Sequence, residues 1–134
     1  MQYKSTRNAA LRVTAAQAIA QGISDEGGLF VPETFPAADL NAMLPLDYVS
    51  RAEYVLARFL TDFTAEEIAQ CAARAYSPEK FENGSPAKVV SLDAHGENKH
   101  VLELWHGPTC AFKDMALQIL PHLLTKSLSK TADG

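Results

Sequence analysis

Cysteine is scarce: Cys71 and Cys110 are the only two in 134 residues, and they stand at no metal-ligand spacing. Neither a disulfide framework nor a zinc array is indicated, and a reducing cytoplasm is the default compartment. The four histidines, His95, His100, His106 and His122, form no i, i+4 pair, which also argues against zinc. Clustered charge is missing too. The formal balance is −4 with no basic block or stripe, so nucleic acid is a poor partner. No apolar run approaches the length of a membrane span, and the opening residues Met1 to Arg7 lack the apolar core of a signal peptide. Repeats and low-complexity segments are absent. What is present, 47% hydrophobic and 21% charged residues, describes an ordinary globular chain with enough length for one modest core.

The first part of the chain is written for helices. The opening segment reads as a short extended piece followed by a helix. Thr14 and Gln17 form a capping box before an alanine-rich run, and Gly22 is its stop. Paired Gly27 and Gly28 predict a tight turn that feeds a short buried extended stretch at Leu29, Phe30 and Val31. Pro32 and Pro36 bracket a loop. Ser50 with Glu53, and Thr64 with Glu67, give two further capping boxes. The first leads a stripe of Val55, Leu56, Phe59, Leu60 and Phe63, the second one of Ile68, Cys71, Ala72, Ala75 and Tyr76. Ser77-Pro78 ends that helix, because proline pushes its predecessor out of the helical region.

From Ala87 onward the pattern changes. Residues 88–92 and 100–105 read as two strands joined by a polar turn over 93–99, a hairpin with a long loop. After Gly107 and Pro108 comes an amphipathic helix over 112–128, with Phe112, Met115, Ala116, Ile119, Leu120, Leu123 and Leu124 on one face. Pro121 predicts a break inside it.

Chemistry-bearing residues are few. Ser77 and Lys80 match the letters of a serine-acylase motif, but Pro78 and the missing companion motifs make this a chance match. Cys110 reads as a small buried filler rather than a reactive thiol. Lys113 stands apart. A lysine at the start of an otherwise apolar helix faces a partly dry site and the positive end of the helix dipole. Both lower its pKa and suit a nucleophilic amine. On spacing alone, a solvated lysine at a helix start remains the plainer reading.

The words around Lys113 change that balance. Leu102-Glu103-Leu104-Trp105-His106-Gly107-Pro108-Thr109-Cys110-Ala111-Phe112-Lys113-Asp114 resembles the threonine synthase signature LELFHGPTLAFKD, departing at Trp105 and Cys110. Tyr3-Lys4-Ser5-Thr6-Arg7 resembles the family's YxSTR opening, with Asn8 where many members have glycine. Gly22 through Pro32 resembles its G(L/I)xx(D/E)GGL(F/Y)VP segment. The three motifs fall in the family's order and cover most of the chain.

The resemblance implies an α/β fold: a helix-rich N-terminal domain with a short β element over residues 1–97, then the incomplete start of a fold-type II pyridoxal-phosphate domain over 98–134. It implies a PLP-dependent carbon–oxygen lyase of threonine biosynthesis, converting O-phospho-L-homoserine and water to L-threonine and phosphate. Lys113 takes the role of the Schiff-base lysine, and Phe112 packs against the cofactor ring. Asp114 is expected to be a helix-start residue. The family's Ser-Gly-Asp-Thr-Gly phosphate loop does not occur before Gly134. The chain is therefore expected to be a fragment, inactive alone, that folds its last helix back or forms a homodimer to hide apolar faces. A non-catalytic helical interaction module, or another fold-type II lyase, is the alternative.

Overall fold

The computed structural model describes residues 1–92 and 98–132. Its order is β1 (Tyr3–Ser5), α1 (Ala15–Gln21), β2 (Phe30–Pro32), α2 (Leu40–Met43), α3 (Tyr48–Phe59), α4 (Ala65–Ala75), β3 (Lys88–Ser91), β4 (His100–Glu103), α5 (Asp114–Leu117) and α6 (Leu120–Ala132). This is a mixed α/β chain, rich in helix, with two separate two-stranded antiparallel sheets among the described residues, β1–β2 and β3–β4.

Two of the three capping boxes form as written. At α1 the Thr14 hydroxyl accepts from the Gln17 N–H and the Gln17 side chain accepts from the Thr14 N–H. At α4, Thr64 and Glu67 do the same. The third does not. α3 begins at Tyr48, because the Asp47 carboxylate accepts from the Ser50 N–H at 2.7 Å and places Ser50 inside the first turn. A carboxylate cap is as good as a hydroxyl one, and the earlier of two competing caps extends the helix. No sequence signal pointed to α2, a single turn capped by Asp39.

The core lies where α1, α4 and α6 meet. Ala15, Ala16, Leu60, Phe63, Ile68, Cys71, Ala72, Ala75, Tyr76, Phe81, Ile119 and Leu123 form one buried cluster. The α4 stripe is buried as its spacing predicts. Of the α3 stripe, Leu60 and Phe63 are buried, while Val55 is 38% exposed and borders a groove of about 490 Å³ against Val89 and Leu102. Small side chains let α6 approach α1 closely: Ala15, Ala16 and Ala18 on one helix, Ser127 on the other, all buried. Lys130 at the end of α6 pairs with Glu67 at 2.8 Å.

The predicted break at Pro121 is there. Helix 112–128 is in fact two helices, with α5 ending at Leu117 and α6 starting at Leu120. Proline has no N–H to give Leu117, and its ring would meet that carbonyl, so Pro121 sits in the first turn of a new helix. Ile119 and Leu123 are buried, each worth roughly 1.5–3 kcal/mol. Phe112 and Leu120 leave the expected face and are 67% and 48% exposed.

The extended stretch after Gly28 exists, but Phe30 and Val31 are only half-buried and Leu29 is 61% exposed. It pairs with the opening strand in the register Tyr3↔Pro32, Lys4↔Val31, Ser5↔Phe30. The hairpin forms as predicted, with Val89 opposite Leu102 and Val90 opposite Val101, although its second strand stops at Glu103. Of the predicted polar turn, residues 93–97 lie outside the described residues, as does the point after residue 97 where a domain boundary was expected.

Candidate active site

The segment from β4 to α5 is a loop braced at both ends. At its start His106 is buried between two carboxylates. Its Nε2 lies 2.6 Å from Glu103 Oε2 and its Nδ1 lies 3.3 Å from Glu82 Oε2. The His106 carbonyl also accepts from the Glu82 N–H at 2.8 Å. Two acceptors on one imidazole require both ring nitrogens to carry protons. The hydrogen bond to Glu103 accordingly raises the His106 pKa, against the opposing pull of burial and with help from Glu82.

At the far end, Asp114 is completely buried. Its Oδ2 accepts from the Thr109 N–H at 2.9 Å and from the Thr109 hydroxyl at 3.0 Å, and its Oδ1 accepts from the Gln118 amide at 3.2 Å. Burial works to raise the Asp114 pKa, but these donors outweigh it and hold the carboxyl below its ordinary value. Gly107 is required by the same packing: a Cβ there would lie 2.5 Å from Asp114 Oδ2 and 2.6 Å from its Cβ. Between the braces the chain turns twice, with Cys110 N–H on the Gly107 carbonyl and Asp114 N–H on the Ala111 carbonyl, both at 3.0 Å.

Lys113 precedes α5 with helical backbone angles, and its carbonyl accepts from Ala116 and Leu117. Its side chain is exposed, so the partly dry surroundings expected from the apolar helix pattern are not supplied by this chain. The reason is the break before Pro121, which turns α5 into one short turn on the surface. Among the described residues no hydrogen bond or ion pair engages the Lys113 amine. Phe112 stands beside it in sequence and is equally open. Cys110 is exposed with φ +55, so it is not the buried filler that its size suggested. Cys71 is, and burial pushes its thiol pKa up.

The loop is also fastened from below. The Tyr76 hydroxyl donates to the Met115 carbonyl at 2.7 Å, and the Tyr48 hydroxyl reaches Met115 Sδ at 3.4 Å. Tyr48 and Tyr76 meet edge to face, their ring centroids 5.0 Å apart. Burial, aided by Tyr48, pushes the Tyr76 pKa up to about 12, so this anchor keeps its proton through the physiological range. Sequence reasoning singled out Lys113 but did not anticipate the two braces. Their one visible signal was a histidine and an aspartate bracketing a glycine and a threonine within nine residues.

His106 makes the stability of this loop depend on pH. A histidine whose folded pKa is raised contributes stability fully below about 6.5, its unfolded value, and loses it as pH rises through the folded value. His122, lowered by burial and by Lys80 and Arg74, acts in the window below that value instead. The melting temperature is therefore expected to fall as pH rises above about 6.5, and His106→Gln to flatten that slope. A wild-type melting temperature that stays level across this range would show that His106 is not held as the imidazolium.

Helix-rich, with short antiparallel strands and a braced lysine loop, the fold is that of the N-terminal region of solved threonine synthases. A PLP-bound threonine synthase from Brucella melitensis superposes with a TM-score of 0.86 at 32% identity, over 98% of this chain and 28% of that one. The yeast enzyme superposes with a TM-score of 0.85 at 30% identity, over 97% and 27%. Residues 2–76 match the family described as the threonine synthase N terminus. The chain belongs to the threonine synthase family. Threonine synthase of Pseudomonas aeruginosa is 35% identical over 99% of this chain and 28% of its own length. That of Saccharomyces cerevisiae is 32% identical over 96% and 26%. The chain thus spans little more than a quarter of the length of these relatives.

Proposed function

We propose that residues 1–134 are the lysine-bearing portion of a threonine synthase, a PLP-dependent carbon–oxygen lyase that converts O-phospho-L-homoserine and water to L-threonine and phosphate. The observation that carries this reading is the braced 106–114 loop, which offers one amine without a partner in a chain of this family. On this reading the activity belongs to a longer enzyme, with residues 1–97 as its N-terminal domain and 98–134 as the opening of its cofactor domain. The compartment is the cytoplasm, in keeping with two free cysteines. Among the described residues no helix is long and apolar enough to cross a membrane.

The residues present fit the cofactor in the part of the site they make. A primary amine with no competing partner, on a loop fixed at both ends, suits attachment of an aldehyde. The exposed Phe112 ring beside it is free to pack on a flat heterocycle. Lys113 would hold pyridoxal phosphate through Nζ, with Phe112 against the ring. When bound, that group supplies an electron sink for charge developing next to the substrate amine. Lys113 Nζ is also the atom assigned to take and return protons at the substrate's Cα and Cβ. The interaction-module reading gives this amine and its braces no task.

The test is phosphate release from O-phosphohomoserine with threonine as co-product. The longer enzyme is expected to turn over, and a homogeneous sample of residues 1–134 to release no phosphate. Turnover by 1–134 alone would place the active site elsewhere.

For residues 1–134 in isolation we also propose self-association. Packing α6 against the core hides Leu123 and, just before the helix, Ile119, but one face of the β3–β4 hairpin stays open, with the paired Val89 and Leu102 61% and 55% exposed. β4 has no neighbour on its outer side among the described residues. An open strand edge pairs readily with a second copy. Sedimentation equilibrium is expected to show a dimer, and a monomer at every concentration would refute it.

A further inference from the structure

We propose that Asp114 is a positioning residue, whose buried carboxylate closes the 107–114 loop so that Lys113 presents its amine from one fixed place. The inference rests on Lys113 being the cofactor lysine, and it adds the residue that sets where that lysine stands. A carboxylate that only complements a helix start stays in water, where it costs nothing to keep charged. Asp114 is 0% exposed, and no cation pairs with it among the described residues. Its charge is carried by three neutral donors, all from the loop itself or the turn that follows. Such burial is tolerated only when the donors are held in place, so carboxylate and loop fix each other.

Nothing else nearby does this work from within. α5 has four residues, far too few for a helix to persist on its own hydrogen bonds. Lys113 lies between the backbone of Ala111, tied to Asp114, and that of Ala116 and Leu117, tied to Lys113 itself. Gly107 has no Cβ, which leaves the space the Asp114 side chain fills. Asp114 is fully enclosed and acts on Lys113 only through the backbone they share.

Hydrogen exchange on residues 1–134 tests this without cofactor. Asp114→Ala is expected to speed exchange over 107–118 by about tenfold or more, leaving α1 and α4 unchanged, as loss of a buried acceptor releases its donors. Asp114→Asn keeps the shape, accepts from Thr109 and donates to a turned Gln118 amide, so it should restore most of the protection. In the longer enzyme, Asp114→Ala is expected to lower kcat about 100-fold with KM within about twofold, the signature of a displaced reacting group. Asp114→Asn should recover most of that kcat. Should Asp114→Ala fail to fold, Thr109→Val removes one donor and is expected to lower kcat roughly three- to tenfold. Equal exchange in wild type and Asp114→Ala, or unchanged kcat in whichever variant folds, overturns the positioning role. Lys113→Ala separates the two readings. If it leaves turnover intact, the cofactor-lysine reading fails; if it abolishes turnover while Asp114→Ala does not, only the positioning role falls.

Discussion

Lys113→Ala is expected to remove the visible absorption of the bound cofactor from the longer enzyme and to lower turnover by about 1,000-fold or more. General acid–base catalysis by one positioned side chain is worth about 10²–10⁴-fold, and this lysine is assigned both the proton transfers and the covalent hold. Lys113→Arg is the sharper variant. It keeps the positive charge, but a guanidinium stays protonated above pH 12 and cannot serve as the nucleophile. In the cofactor-free protein, where no bound group adds to stability, both changes should be almost silent in the melting temperature. The side chain is exposed and its amine unpaired among the described residues, so the expected change is within about 0.5 kcal/mol. Activity lost with the melting temperature unmoved is the combination that identifies a reacting group. Normal turnover in either variant would remove Lys113 from the mechanism.

Much of this arrangement was legible in the residues, and the failures have physical causes. α1 and α4 were readable because each combines a reciprocal cap with a stripe at helical spacing, two local signals that agree. α3 was misplaced by three residues because Asp47 and Ser50 are both good caps, and only the geometry of the preceding loop decides between them. Val55 sits at a core spacing yet lies on a groove, since periodicity marks a face without saying what covers it. The hairpin followed from two short apolar runs on either side of a polar turn, whereas the pairing of β1 with β2 did not. It joins residues about 27 apart through contacts that no local pattern encodes.

The same limit applies to the site. Lys113 was singled out by the words around it, while spacing alone favoured the solvated lysine at a helix start that its exposed side chain matches. His106 and Asp114 were invisible as braces because their partners, Glu82 in one case and Thr109 with Gln118 in the other, are polar residues with no distinguishing spacing. Burial of an ionised group is a tertiary fact. The sequence shows the group but not the enclosure.

The two family motifs near the start make a second claim that stability can test. Gly28→Ala is expected to be among the most damaging single methyl additions in the chain, for a reason of space rather than backbone angle. A Cβ at this position would lie 2.0 Å from Ser5 Oγ and 3.0 Å from the Arg7 backbone nitrogen. Ser5 and Ser24 are both 2% exposed, with their hydroxyl oxygens 2.9 Å apart. The Ser24 hydroxyl donates to the Gly28 carbonyl at 2.8 Å, so the Ser5 hydroxyl is the donor to Ser24. Ser5 Oγ in turn accepts from the Arg7 N–H at 3.1 Å. Turning Ser5 aside to admit a methyl would therefore orphan the Arg7 N–H and undo the link to Ser24. Overpacking costs about 1–3 kcal/mol and each broken hydrogen bond about 1 more, for a loss of about 3 kcal/mol. In a chain of this size that lowers the melting temperature by about 10 °C. Gly22→Ala is the control. Gly22 has φ +76, and nothing lies within 4 Å of its would-be Cβ, so only the backbone conformation is penalised, by about 1–2 kcal/mol. If Gly28→Ala melts no lower than Gly22→Ala, then β1 and the turn before β2 are not locked together by the Ser5–Ser24–Gly28 contact.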